Sequence, residues 1–268
     1  MKTQLEARPF VKWAGGKQGI AAEIVRQFPE KIGTYYEPFL GGGSVFFSFS
    51  PVAAVLADSN RWLIDTYRAV RDQLKDVVAG LNSLTNTREE FARIRAIDPN
   101  TLADPMRAAH FIYLNKTCFR GLYRVNRKGQ FNVPYGAYQR RYYDLDDLTA
   151  VATRLNDVEL LCGDFEEAVR SAKRGDFIYF DPPYYKLGGY SDFNRYTPDQ
   201  FREIDHQRLA ELCRELDRRG VRWALSNSDT PYVQDLFRGF DITRVKARRE
   251  INLNSANRNI DELLIRNY

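Results

Sequence analysis

A chain of 268 residues with 44% hydrophobic side chains has room for one large domain or two small ones around a sizeable core. No apolar run approaches the about 20 residues of a membrane span, and the opening stretch MKTQLEARPF lacks the apolar segment of a secretory signal. Cys118, Cys162 and Cys213 are far apart, odd in number and without a C-x-x-C pair, which argues against a disulfide framework and a cysteine zinc site. His110 and His206 are the only histidines, so histidine-based catalysis and most transition-metal sites are disfavoured, and a reducing, cytoplasmic setting is expected. The net charge of +5 is modest but unevenly placed. Residues 107–143 contain no acid, yet hold Arg107, Lys116, Arg120, Arg124, Arg127, Lys128, Arg140 and Arg141. A second basic cluster is Lys246, Arg248 and Arg249, with Arg258 beyond. Phe119, Tyr123, Phe131, Tyr135 and Tyr138 are interleaved with the first cluster, a mixture suited to phosphates and bases rather than to a merely solvated face.

Residues 10–61 read as the first part of an α/β domain. A helix is predicted over Gln18–Phe28, a short strand ending Tyr35-Tyr36-Glu37, a helix opened by Gly41-Gly42-Gly43, and a strand from Val52 to Leu56 that ends at Asp58. Residues 62–117 change to helical periodicity, through Leu63, Tyr67, Val70, Leu74, Val77, Val78 and Leu81, with a later helix near Arg107–Leu114. Residues 119–138 look like a β-hairpin, with arms at Leu122–Val125 and Phe131–Val133, a turn at Arg127-Lys128-Gly129, and Pro134 ending the second arm. The α/β rhythm returns near residue 146. Strands are predicted at Val158–Leu161, Phe177–Phe180 and Val221–Leu225, with helices from residue 165 and over Asp199–Arg218. Strands near 240–247 and 262–267 suggest an antiparallel closing hairpin.

Four acids fall at four predicted strand ends: Glu37, Asp58, Asp164 and Asp181. In open α/β sheets that edge is where ligands bind. Asp181-Pro182-Pro183-Tyr184 stands out among them. Its two prolines remove two N–H donors and keep the chain extended, leaving carbonyls beside an acid and an aromatic ring. Such a place can accept hydrogen bonds from an amino group and stack on a flat ring, and a nucleobase offers both. The run Glu37-Pro38-Phe39-Leu40-Gly41-Gly42-Gly43-Ser44 lets a ligand approach backbone, although it could also be only a tight turn. Asp58, about 20 residues on, suits ribose hydroxyls, but Val45 and Phe46 break the dinucleotide glycine pattern. Gly15-Gly16-Lys17 fails as a phosphate loop, because Gln18 stands at the Ser/Thr position. Trp13, Lys17 and these glycines could still line a pocket for a small zwitterion. Asp164-Phe165 suits an adenine ring, with a plain helix cap as its alternative.

The blocks FVKWAGGK at 10–17, EPFLGGGSVFF at 37–47, LADSN at 56–60, LNKTCFRGLYRVNRKGQFNVPYGAY at 114–138, DPPY at 181–184, LSNSD at 225–229 and IDELLIRNY at 260–268 together resemble the DNA adenine-N6 methyltransferase (Dam) family, the DPPY-type alpha group of the D12 class. They follow that family's order over nearly the whole chain. DPPY alone is only moderately specific; the series is strong. The resemblance implies a Rossmann-like S-adenosylmethionine-dependent methyltransferase fold, with a mixed seven-stranded sheet formed by residues 1–61 and 146–268. It also implies a helical and β-hairpin target recognition domain inserted at 62–145. The activity implied is site-specific methylation of adenine N6 in duplex DNA, with S-adenosylhomocysteine as the other product, no metal, GATC as the expected site and the target base flipped out. Open alternatives are a restriction-modification enzyme with a longer GAT-containing site, an amino-methyltransferase acting on RNA or protein, and an inactive DNA-binding homologue.

By match to the family's motifs, Trp13 and Lys17 lie against the methionine part of the cofactor, Glu37, Phe39 and Gly41 line its site, Asp58 takes the ribose, and Asp164 and Phe165 hold its adenine. Asp181 lies near both cofactor and target, with Pro182 accepting from the target amino group and Tyr184 stacking on the base. Arg124 matches a guanine-reading arginine. Leu122 and Pro134 match residues at a thymine methyl, Lys12 a contact to the first guanine, Phe119 an aromatic wedge, and Asn132 and Tyr138 further DNA contacts. Arg120 departs from the pattern, standing where asparagine is expected beside the wedge. The resemblance also implies a monomer working in the bacterial nucleoid or a phage-infected cell, with a cognate restriction endonuclease as a conceivable companion. A loop over Tyr185–Thr197 that closes on the flipped base is a further expectation, beside that of an ordinary surface loop.

Overall fold

The computed structural model describes residues 6–185, 201–248 and 259–268. Among these, seven strands form one mixed sheet: β1 Tyr35–Glu37, β2 Ala54–Asp58, β3 Val158–Cys162, β4 Phe177–Phe180, β5 Arg222–Ser228, β6 Asp241–Arg248 and β7 Asn259–Arg266. Their order is β3-β2-β1-β4-β5-β7-β6. The first five are parallel, and β7 runs antiparallel to both of its neighbours. The central parallel strand β4 reads as a continuous apolar run because both of its faces are covered. Tyr35, Phe177 and Tyr179 point into one core, with Leu56 and Leu160. Tyr36, Ile178 and Phe180 point into the other, against Leu209, Cys213 and Trp223. Successive side chains thus go to opposite faces, as the strand period requires.

The helices are α1 Ala21–Val25, α2 Ser44–Phe49, α3 Arg61–Asp72, α4 Leu74–Asn82, α5 Arg88–Ala96, α6 Asp104–Thr117, α7 Leu145–Arg154, α8 Phe165–Ala168, α9 Glu203–Arg218 and α10 Pro231–Leu236. α3 starts where the Asn60 side chain accepts a bond from Leu63 N–H, and α7 where Asp144 accepts from Asp146 and Asp147. Phe91, Phe111, Tyr113, Val125 and Phe131 share a core with Leu56 and Leu160, so the helices of 61–117 and the hairpin pack onto the sheet rather than round a separate centre. No helix among the described residues is long and apolar enough to cross a membrane.

Some boundaries differ from expectation. The helix predicted over 18–28 is regular only at Ala21–Val25, because Gly19 weakens its start and Pro29 closes its end. β2 starts at Ala54 rather than Val52, whose side chain is 98% exposed before the sheet begins. Residues 119–138 form a hairpin without a continuous ladder. Its arms meet at isolated bridges, Val125 with Phe131 and Cys118 with Tyr135, because Pro134 lacks a donor and Ala137 sits at φ 54°. The start of the predicted helix at Asp199 and most of the loop expected over 185–197 lie outside the described residues.

Candidate active site on the carboxyl edge of the sheet

The carboxyl ends of β1, β2 and β4 carry Glu37, Asp58 and Asp181, and Asp164 follows β3 by two residues. The strand order places them along one edge as Asp164, Asp58, Glu37, Asp181. Asp181 is held by Lys17, whose ammonium donates to both carboxylate oxygens at 2.7 and 2.8 Å and to the Gly15 carbonyl at 2.8 Å. The same ammonium lies 4.7 Å from the centre of the Tyr184 ring. The Tyr184 hydroxyl donates to Glu262 Oε2 at 2.9 Å. Burial pushes the Asp181 carboxyl up to about 6 against the pull of Lys17.

Glu37 lies deeper, 2% exposed, and accepts a 2.7 Å bond from the Tyr35 hydroxyl. Burial pushes it up to about 8. Asp58 accepts from Gly41 N–H at 3.0 Å and from Asn60 N–H at 2.9 Å, and burial raises it to about 6. Gly41 has a second reason to be glycine. At φ 49°, a Cβ there would sit 2.6 Å from Cδ1 of Trp13. The Trp13 indole in turn stacks on Tyr123 at 5.2 Å. Phe39 and Phe165 stack at 5.4 Å, next to Asp164. Asp164 also caps α8 by accepting from Glu166 N–H, so its simpler alternative is realised. Arg208 of α9 donates to Asp164 and Glu166 at 3.0 Å each and covers the Phe165 ring at 4.9 Å. Lys17, Asp181 and Tyr184 therefore cluster, as do Trp13, Gly41 and Asp58, and Phe39, Asp164 and Phe165. Among the described residues, no group of three or more His, Cys, Asp or Glu side chains could hold a metal ion.

The D12-class model of N6 adenine-specific DNA methyltransferases matches residues 13–251. The chain belongs to that family. It is 38% identical to the type II methyltransferase M1.LlaDCHI of Lactococcus lactis subsp. cremoris, over 100% of this chain and 98% of that one. It is also 38% identical to the type II methyltransferase M.MjaIII of Methanocaldococcus jannaschii, over 98% and 100%. It is 33% identical to a DNA adenine methylase of Haemophilus influenzae, over 96% and 92%.

In this D12 methyltransferase the hairpin splits by side-chain alternation. Tyr123, Val125, Phe131 and Val133 are buried, while Asn132 and Pro134 are exposed, Arg124 is half-buried, and Leu122 is half-buried against the edge of the same core. Arg124 donates to the Asn132 carbonyl across the hairpin at 2.6 Å. Phe119 is 46% exposed, and the Arg120 guanidinium lies 5.3 Å from its ring. Arg120 sits at φ 59°, a region where asparagine is commoner than arginine, and its N–H donates to the Tyr138 hydroxyl at 2.8 Å. Lys12 lies against Gly121, where a Cβ would come 2.2 Å from Lys12 Cδ. Its backbone N–H and carbonyl both bond the side chain of Asn115, at 2.8 Å each. Lys116 has its ammonium pushed down to about 8, by burial first and then by Lys12 and Arg140.

Glu262, Arg208 and Asn115 carry no role in the sequence reading. Each acts across 44 to 103 residues of chain, so no local pattern marks it. Glu262 does stand inside IDELLIRNY, which offered a position but no chemistry.

Proposed function

We propose that the chain transfers a methyl group from S-adenosylmethionine to N6 of an adenine flipped out of duplex DNA, within GATC. The observation that carries this reading is the Lys17 ammonium, which bridges the Asp181 carboxylate and the Tyr184 ring. A nitrogen bearing hydrogens, beside an acid and over an aromatic face, is what the amino group of a stacked adenine would present there.

The edge fits the cofactor chemically. Glu37, Asp58 and Asp181 all have raised pKa values through burial, so added positive charge is favourable, and the sulfonium and ammonium groups provide it. Asp58 is suited to accept from ribose hydroxyls, Phe39 and Phe165 to receive an adenine, and Trp13 and Lys17 to flank the amino-acid end. Bound S-adenosylmethionine supplies an electrophilic methyl group. The protein's share is positioning and polarisation. Asp181 and the Pro182 carbonyl accept the two amino hydrogens, draw the nitrogen toward a tetrahedral shape and localise its lone pair. Tyr184 fixes the plane of the base. The methylated nitrogen then carries an acidic proton that is lost without a dedicated strong base, which suits a site without histidine.

Residues 62–145 are proposed as the target recognition unit, with 1–61 and 146–268 catalytic. Its hairpin would present Leu122, Arg124, Asn132 and Pro134 to the major groove, with Lys12, Phe119, Arg120 and Tyr138 at the flanks. A bidentate arginine–guanine pair is worth roughly 1–3 kcal/mol of discrimination. Flipping the base costs a few kcal/mol, roughly. We take the enzyme to be a monomer acting on DNA in a bacterial or phage-infected cell.

A second reading, a restriction-modification enzyme with a longer GAT-containing site, draws support from the two relatives named type II methyltransferases. Expression in a host without adenine methylation, followed by base-resolution mapping of methyladenine, tests both. Modification of GATC is expected. A different motif would overturn the specificity, and soluble protein that leaves no methyladenine would overturn the activity.

A further inference from the structure

We propose that Glu262 is a positioning residue for methyl transfer, holding the Tyr184 ring in place through its hydroxyl. The argument starts from topology. β7 is antiparallel to β5, so its opening residues lie beside the end of β5, with Glu262 opposite Ser228. A parallel strand in that place would have brought its carboxyl end to the edge instead. Glu262 is thereby carried to the acid-lined edge, 7% exposed, and accepts the 2.9 Å bond from Tyr184. A carboxylate placed there is costly to bury unless a hydrogen bond compensates it.

The neighbouring backbone is held as well. Two prolines deprive the chain after β4 of donors, and β5 replaces the lost ladder with side chains. Asn227 Oδ1 accepts from Tyr185 N–H at 3.2 Å, and the Ser228 hydroxyl donates to the Tyr185 carbonyl at 2.7 Å. Tyr185 then stacks on Tyr232 at 4.2 Å. With its backbone fixed on one side, Tyr184 keeps freedom mainly about its own side-chain torsions. The bond to Glu262 removes that freedom at the far end of the ring, setting the plane on which a base would stack before any base arrives.

This inference rests on the reading of Tyr184 as the stacking platform, so Tyr184→Ala serves as its control in single-turnover methyl transfer. Transfer that survives Tyr184→Ala would sink the platform reading itself. Given a dead Tyr184→Ala, Glu262→Ala is expected to lower the single-turnover rate by roughly 10- to 100-fold, with cofactor affinity and KM for DNA little changed. Glu262→Gln keeps an acceptor and is expected to stay within about fivefold of the unmodified enzyme. Tyr184→Phe deletes the hydroxyl, and with it the contact to Asp181 as well as that to Glu262, so its loss should be at least that of Glu262→Ala, with the double variant no worse than Tyr184→Phe alone. 2-Aminopurine at the target position should still brighten on flipping but with a broader lifetime distribution. Should Glu262→Ala fail to fold, Tyr184→Phe alone decides the matter. A Tyr184→Phe rate within twofold of the unmodified enzyme, or additive losses in the double variant, overturns the proposal.

Discussion

The carboxyl edge of the sheet and the outer face of the hairpin hold their polar groups in opposite ways. At the edge, Asp58 is fixed by two backbone N–H groups, Asp164 by a helix cap and Arg208, and Asp181 by a buried lysine that is 4% exposed. These groups are set by the strands that end there. At the tip of the hairpin the polar residues bond to the hairpin itself, while Tyr135 at its base donates to Asn86. Arg124 spends its guanidinium on the Asn132 carbonyl, and Asn126 closes the turn by accepting from Lys128 and Gln130 N–H. The Asp58 and Asp164 acceptors are thus set before a ligand arrives, whereas a base at Asp181 would displace Lys17 and a base at Arg124 would displace the Asn132 carbonyl. The difference teaches that substitutions at the edge should change rate and cofactor affinity, and those on the hairpin should change which DNA is chosen.

The sharpest way to break that contrast is Asp181→Ala. Methyl transfer should fall by about a thousandfold or more, while DNA retention in a gel-shift assay persists. Loss of DNA binding in step with activity would mean that the edge also carries recognition. Asp58→Ala should weaken S-adenosylmethionine binding by roughly 10- to 100-fold in calorimetry, because a charged acceptor is lost. Arg124→Ala should leave the rate on the best site nearly intact and relax discrimination at a single base pair by roughly 1–3 kcal/mol, read from rates on a panel of substituted duplexes. A uniform loss across all sequences would instead make Arg124 a phosphate contact.

The smallest expected effect is on pH dependence, and its sign is set by the raised carboxyl groups. Asp58 and Asp181 at about 6 and Glu37 at about 8 keep protons in the fold that the unfolded chain releases near its ordinary values of 3.8 and 4.5. Their contribution to stability is therefore fully present at low pH and is lost as pH rises through the folded values. Thermal melting of the ligand-free protein should reflect that loss between about pH 4 and 8, the window these shifts define. A cationic cofactor lowers the same values, so its affinity should climb over that range with proton release. Calorimetry in two buffers of different ionisation enthalpy measures the protons directly. An affinity independent of pH would remove these acids from the cofactor site.

Much of this was legible because the signals are local. Phe177-Ile178-Tyr179-Phe180 reads as a buried strand in a sheet covered on both sides, and the acid after it marks the edge. The alternation of Tyr123 and Val125 with Leu122 and Arg124 already separates an inner from an outer hairpin face, although the missing ladder did not show in the pattern. What stayed hidden depends on contacts between distant segments. The position of β7 between β5 and β6 is a choice of pairing, not of propensity, and the bond from Tyr184 to Glu262 follows from it. α7, which is not among the predicted elements, carries a local signal in Asp144, a cap followed by Leu145 and two further acids.

The two bonds between Asn115 and the backbone of Lys12 have a consequence for coupling. They clamp residues 10–17 to the end of α6, and that one short segment carries Lys12 toward the hairpin and Trp13 and Lys17 toward the acids. The segment is thereby tied to both regions at a fully buried amide. A ligand that shifted one end would strain the same two bonds as a ligand at the other. By linkage, whatever factor the cofactor adds to DNA affinity, DNA must return to cofactor affinity.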